Sequence, residues 1–362
     1  MKIVFNAPFN NLSFGNVSFN LLREMYKRGC DVSIFPISSG SNIDLGSYDK
    51  TSSDFLEWIK SGIQNSLKTV KASSRSIKLW HLMGSENRIT PKQTLFTFYE
   101  LDSPTQEEIN LIRLQDKVAV SSLYTKQILE FSGIESDKII HSPLGFDEDF
   151  HVTGKDYRTD GFIHFGLMGK WEKRKHTARI LKNWVKKYGN NLNYRLSCCI
   201  VNPFFNPEQM NSFIGEALDG KRYFNVNFLP FLPTNSQFND FLNSIDIDLT
   251  GLSGAEGWNL PAFNATALGK WSIVLNATAH KDWANKENSI QVEPSGKISS
   301  VDGIFFKNGL PFNQGNIFTW EDDDMFEAME IAVKKGKGVN SEGLKLQKEF
   351  TYSKTLNKIL EE

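Results

Sequence analysis

Ser253-Gly-Ala-Glu-Gly-Trp-Asn-Leu-Pro-Ala-Phe-Asn-Ala-Thr-Ala-Leu-Gly269 is the stretch whose reading decides the fold. Glu256 and Gly257 form a loop after an apolar run. Leu260-Pro261 then opens a helix of small residues that ends at Gly269, and an apolar strand over 271–275 follows at once. Strand, acidic loop and helix start make up the place where an open α/β sheet holds its ligand. Free backbone N–H groups at the helix start Leu260-Pro261-Ala262, together with the helix dipole, favour an anion such as a diphosphate. A carboxylate beside that anion repels phosphate, so Glu256 is better matched to the hydroxyls of a sugar. The pairing implies a nucleotide-sugar site.

Working outward, the same βα alternation fills the chain. A strand over 2–5, a polar loop over 6–16, a helix over 17–28 capped by Gly29 and a strand over 31–36 make a βαβ opening. Residues 38–52 read as loop and 54–71 as an amphipathic helix. Strands follow over 77–82, 93–99, 118–121 and 138–141. The polar stretch 151–161 marks a boundary. Beyond it come strands over 162–168, 194–200, 226–230 and 245–250, with helices over 176–187, 207–218 and 235–244 between them. The last helices are 325–335 and 341–360. The expectation is an α/β protein of two Rossmann-like, doubly wound domains facing a cleft. Residues 1–152 form the acceptor side and 153–340 the nucleotide-sugar side, and 341–362 are a C-terminal helix that can cross back to the first domain.

Bulk properties narrow the function. The 362 residues are 40% hydrophobic and 23% charged with a formal net charge of -1, so no global field draws nucleic acid or an anionic membrane. Three cysteines, two of them adjacent, argue against a disulfide framework and for a reducing cytoplasm. No Cys or His spacing matches a zinc site. The apolar start is too short for a signal peptide, and no window reaches the length of a membrane span, so no stable membrane insertion is expected. Lys60, Lys68, Lys71, Arg75 and Lys78 read either as an ordinary wet helix face or as a footprint for an anionic acceptor, lipid head group or phosphodiester.

A second constellation is Phe165-Gly-Leu-Met-Gly-Lys-Trp-Glu-Lys-Arg-Lys-His176, a strand end carrying four cations within six residues. Such a cluster facing a cleft suits a diphosphate; a solvated basic loop is the alternative. Asp246-Ile-Asp248 has the spacing of a metal-binding pair, but its apolar surroundings read as a buried strand. Glu321–Asp324 reads as an acidic helix start. His280 and Asp282 fit either a helix capping the sugar pocket or a plain surface loop.

These motifs resemble the family-four retaining glycosyltransferases of the GT-B fold. Lys170 and Lys175 match the family's paired cations. Glu256, Gly257, Trp258, Leu260 and Pro261 match its acidic-glycine-aromatic motif, with Asn259 in place of a glycine and Asn264 in place of a second Glu. Asn tolerates the positive φ that a glycine turn uses. The resemblance implies that Glu256 contacts the donor sugar hydroxyls and that Lys170 and Lys175 stabilise the departing diphosphate. Gly169, Arg174, Gly257, Trp258, Asn259 and Leu260 then line the donor site, with Asn264 at the ribose. In the first half, Gly15 stands in the loop expected to approach the donor phosphate, and His81 and Glu100 follow strands on the acceptor side; a buried structural histidine and a capping carboxylate are the plainer readings. No metal and no cofactor is expected, the nucleotide sugar being a co-substrate.

The acceptor is left open. The chain also resembles compact glycosyltransferases of tailed bacteriophages, which places a hydroxymethylated cytosine in phage DNA, and a hexose or pentose donor, first among the expectations. The location is then the host cytoplasm. The alternatives are a cytoplasmic glycosyltransferase building a surface polysaccharide or glycolipid, a non-catalytic sugar-nucleotide-binding module, and a nucleotide-sugar epimerase.

Overall fold

The computed structural model describes residues 2–37, 51–68, 70, 74–155, 157 and 161–361. The first half contains β1 (Lys2–Ala7), α1 (Ser13–Lys27), β2 (Asp31–Pro36), α2 (Ser53–Ser66), β3 (Arg75–Leu79), β4 (Lys92–Thr97), α3 (Gln106–Leu114), β5 (Lys117–Val120), α4 (Leu123–Phe131) and β6 (Ile139–His141). The second contains β7 (Ile163–Met168), α5 (Thr177–Tyr188), β8 (Tyr194–Cys199), α6 (Pro207–Ala217), β9 (Val226–Phe228), α7 (Asn235–Ser244), β10 (Ile247–Asp248), α8 (Leu260–Ala267), β11 (Trp271–Leu275), α9 (His280–Trp283) and β12 (Ser289–Val292). A hairpin, β13 (Gly296–Ser299) with β14 (Asn316–Thr319), then leads to α10 (Asp322–Lys335), α11 (Ser341–Glu349) and α12 (Tyr352–Leu360).

Both large sheets are six-stranded and parallel, in the orders β2-β1-β3-β4-β5-β6 and β12-β11-β10-β7-β8-β9. Their inner strands are largely buried, as a sheet covered on both faces requires, while the edge strand β9 is exposed at Asn227 and Phe228. Strand order reverses between β1 and β3 in the first sheet and between β7 and β10 in the second. A crevice opens at the carboxyl ends of the strands at each reversal. The core follows the layers. Phe5, Val17, Leu22 and Ile34 fill the first half, and Phe165, Trp184, Leu196 and Trp320 the second. The apolar cluster of the first half continues through Phe150 to Phe263 of α8.

Several boundaries differ from expectation. Helix α1 begins at Ser13, so Gly15 lies in its first turn and not in the preceding loop. The expected helix over 54–71 stops at Ser66; the expected loop over 38–50, and Lys71, lie outside the described residues. Arg75 and Lys78 consequently belong to β3. Lys78 is buried and donates to the carbonyls of Gly84 and Asn87, while Lys60 pairs with Glu57. Lys78 is therefore not available to an anionic acceptor, and Arg75 and Lys78 do not belong to the helix that carries Lys60. The expected helix over 341–360 is two helices, broken where Phe350 turns extended and Thr351 caps α12.

Candidate active site

Two loops meet at the reversal between β7 and β10. After β7, Gly169 takes φ 100° and starts the basic segment that feeds α5. After β10, the acidic segment runs through Gly254 and Glu256 into α8, whose capping residue, Asn259, has φ 67°. The left-handed turn expected at Asn259 is present. Its Nδ2 donates to the Thr250 carbonyl at 3.0 Å and lies 2.9 Å from Nε2 of His280. Nδ1 of His280 lies 3.0 Å from the Leu275 carbonyl and must donate to it, so Nε2 accepts from Asn259. Burial lowers the His280 pKa to about 4, which keeps the ring neutral for that role. His280, on α9, thus supports the turn from behind and does not cap the pocket.

Glu256 is buried. Its Oε1 accepts from Lys175 at 2.5 Å and from Ser253 at 2.8 Å, and its Oε2 lies 3.3 Å from Arg174. Burial alone raises a carboxyl pKa, but Lys175 and Arg174 outweigh it and hold Glu256 at about 2. Lys170 is the most accessible of the three cations that line the cleft. It pairs with Glu172 at 3.2 Å and stands over the ring of Phe204. Arg174 is 7% exposed and pairs with Glu172 at 2.8 Å and Glu100 at 3.0 Å, so it is an internal hub and not an open anion receptor. Glu172 and Ser253 were not singled out from the sequence. Only the position of Glu172 inside the cation cluster pointed to it.

These residues line a cleft of about 730 Å³ between the two halves. Lys170, Lys175, Glu256, Gly169, Arg174, Gly257, Trp258, Asn259, Leu260 and Asn264 border it from the second half, and His81 and Glu100 from the first. Gly15 does not border it. A Cβ there would lie 2.0 Å from the Asn10 carbonyl oxygen, so this glycine shapes the loop that does. Among the described residues that line the cleft, four carry a buried polar atom with no hydrogen-bond partner: Nε of Arg174, Nε1 of Trp258, Oδ1 of Asn259 and Oδ1 of Asn264. Orphaned groups of this kind are costly unless a ligand or water meets them.

The first half contributes an aromatic wall. Phe14 lies 4.5 Å, ring to ring, from both Phe98 and His81, and Trp80 lies 5.3 Å from His81. Crowding by the cleft walls, and secondly Lys170 opposite, lower the His81 pKa. The halves are in contact. Ser121 Oγ donates to the Gly257 carbonyl at 2.5 Å, and Asp282 pairs with His141 at 2.8 Å. Asp246 and Asp248 are buried in the second sheet, where Asp246 accepts from the His164 amide and Asp248 from that of Thr250. Among the described residues no group of three or more His, Cys, Asp or Glu side chains is placed to hold a metal ion.

Two facing parallel sheets, a site at the reversal of the second and full-length superposition on known structures decide the architecture. The fold is GT-B. Sucrose-phosphate synthase from Thermosynechococcus elongatus matches with a TM-score of 0.68 and 11% identity over 99% of this chain and 97% of that one. Anabaena HepE in complex with UDP and glucose matches with a TM-score of 0.68 and 11% identity over 100% and 98%. The lipopolysaccharide outer core galactosyltransferase WaaB matches with a TM-score of 0.61 and 14% identity over 99% of both chains. No family model and no curated protein sequence matches the chain. No helix among the described residues is long and apolar enough to cross a membrane.

Proposed function

We propose that this GT-B chain is a retaining, nucleotide-sugar-dependent glycosyltransferase. The observation that carries the reading is the convergence of Glu256, Lys170, Lys175 and the start of α8 at one end of the cleft. Glu256 receives donor sugar hydroxyls, the N–H groups from Asn259 onward hold phosphate or sugar, and Asn264 offers its orphaned carbonyl to the ribose. The cocrystallised UDP and glucose of the HepE structure support a donor of this class. Attack comes from the face that the diphosphate leaves. The sugar C1–O bond to the diphosphate breaks, the acceptor oxygen bonds to C1, and the acceptor proton passes to the departing diphosphate. Lys170 and Lys175 stabilise the charge that develops there, without a metal ion in this reading.

The acceptor proposed first is a hydroxymethylated cytosine of phage DNA. The wall of Phe14, Trp80 and Phe98 suits a base stacked in the cleft, which a duplex must flip out to present. One observation favours a surface glycan or glycolipid instead. The described lysines and arginines that line the cleft, Lys170, Arg174 and Lys175, all stand in the second half, so among the described residues none lines the first-half wall to meet a phosphate backbone.

The test is a screen of hexose and pentose nucleotide donors, with and without DNA containing 5-hydroxymethylcytosine, read by mass spectrometry. A glycosylated nucleoside establishes the DNA acceptor. Donor hydrolysis alone redirects the search to glycans. A chain that binds UDP but neither transfers nor hydrolyses any donor is a binding module.

A further inference from the structure

The carboxylate of Glu100 crosses the cleft. It leaves the first half just beyond β4, and its Oε2 lies 3.0 Å from Nη1 of Arg174 in the second. The same Nη1 lies 3.3 Å from Oε2 of Glu256 and donates to the Ala255 carbonyl at 2.5 Å. Nη2 is occupied by Glu172 at 2.8 Å. Glu100 and Glu256 thus compete for one nitrogen of one guanidinium. The contact requires the halves to be together, and the backbone there is tightly apposed. A Cβ on Gly257 would lie 2.8 Å from Cβ of Phe98, two residues before Glu100.

We propose that Glu100 is a positioning residue: when the halves close, its carboxylate engages Arg174 and leaves Glu256 to Lys175, Ser253 and the donor sugar. Closure is thereby coupled to assembly of the donor site. The proposal rests on the glycosyltransferase reading above. Its physical basis is charge. Arg174 is buried among three carboxylates, and a guanidinium deprived of one pairs more closely with the others. Without the Glu100 charge, Arg174 draws on Glu256 and turns it from the sugar. Lys170 and the start of α8 are untouched, so nucleotide binding persists.

The charged groups facing Glu100 are Arg174, Glu256, Glu172 and Lys175. Burial raises its pKa, Arg174 opposes, Glu256 and Glu172 raise it further and Lys175 opposes again, with the balance at about 7. Its positioning charge therefore fades as pH falls through that value.

The experiment compares the full chain with Glu100→Gln, and with Lys297→Ala as a control that removes the cross-half pair Lys297–Asp102. Steady-state transfer or hydrolysis of the donor found in the screen is followed from pH 5.5 to 9, alongside UDP calorimetry and hydrogen exchange of residues 254–258. Glu100→Gln is expected to lower kcat about 10- to 100-fold. UDP affinity should change less than about threefold, the acidic limb near pH 7 should vanish, and exchange in 254–258 should accelerate. Lys297→Ala keeps kcat within about twofold. A Gln variant with wild-type kcat and pH profile overturns the proposal. So does one that loses UDP affinity in step with kcat, or a Lys297→Ala variant equally impaired. A wild-type chain inert toward every donor overturns the glycosyltransferase reading instead. The exchange data then decide the positioning role alone, and unchanged exchange in Glu100→Gln overturns it.

Discussion

The neutral amide at 264 is, with Asn259, one of two positions where the sequence differs from the motif it resembles. Asn264 is 4% exposed, and its Oδ1 meets no protein donor. A carboxylate there accepts a hydroxyl pair with charge assistance, which roughly doubles a hydrogen bond's strength. Asn264→Glu is expected to tighten UDP binding about fivefold by calorimetry, equivalent to about 1 kcal/mol; unchanged affinity means that the side chain does not face the ribose. Lys175 tests the opposite pole. Lys175→Met removes the side chain proposed to stabilise the departing diphosphate and should cost about 10²–10³ in kcat. It also frees Glu256 from its strongest counter-ion. In the wild type, the folded pKa of Glu256 lies near 2, below that of an unfolded chain. Its stabilising contribution is therefore complete above the unfolded value, about 4.3, and lost as pH falls through about 2. In Lys175→Met the folded pKa rises toward or above the unfolded value, so this contribution is already missing at neutral pH, which urea unfolding between pH 3 and 7 will show as lower stability at pH 7 and a shallower acid decline.

At the scale of elements, the loops after β7 and β10 do the work, and both were legible in the sequence. Glycine, clustered cations and a lone Glu before Leu-Pro are local signals, and parallel strands put both segments at one reversal. What could not be read depended on partners distant in sequence. The final helix breaks because Phe350 packs against Trp258 and Phe263, some 90 residues earlier. Arg174 reads as a surface cation until Glu100 arrives from the other half. Gly257 is a case where both kinds of information meet. Its motif position was evident, but the Phe98 backbone and Cβ that exclude a side chain were not. Gly257→Ala should push the β4 end off the donor loop and lower kcat about 100-fold with UDP binding retained. Small-angle scattering with UDP present will report whether the halves fail to close, and wild-type turnover would show that the close approach is not needed.

Across the whole molecule, the chain end ties the halves together. Helix α11 packs on α8 of the second half, where Gly343 allows the Thr266 carbonyl to approach closely. Helix α12 then lies on α1 and β6 of the first half, burying Tyr352, Leu356 and Ile359. Thr355 donates to the Pro143 carbonyl at 2.6 Å, and Arg28 holds Asn357 at 2.7 Å. Three buried apolar side chains at about 1.5–3 kcal/mol each are a large fraction of an ordinary domain's stability. Ending the chain after Phe350 uncovers their contacts in the first half while leaving α11 on α8. That half should lose stability first, so thermal unfolding changes from one transition to two, with the earlier one unaffected by UDP. Transfer should fail with it, since the acceptor wall and Glu100 belong to that half. UDP binding should survive, because Lys170, Lys175 and the start of α8 belong to the other. Calorimetric unfolding with and without UDP distinguishes this from a simple global loss, in which a single transition moves down and UDP raises all of it.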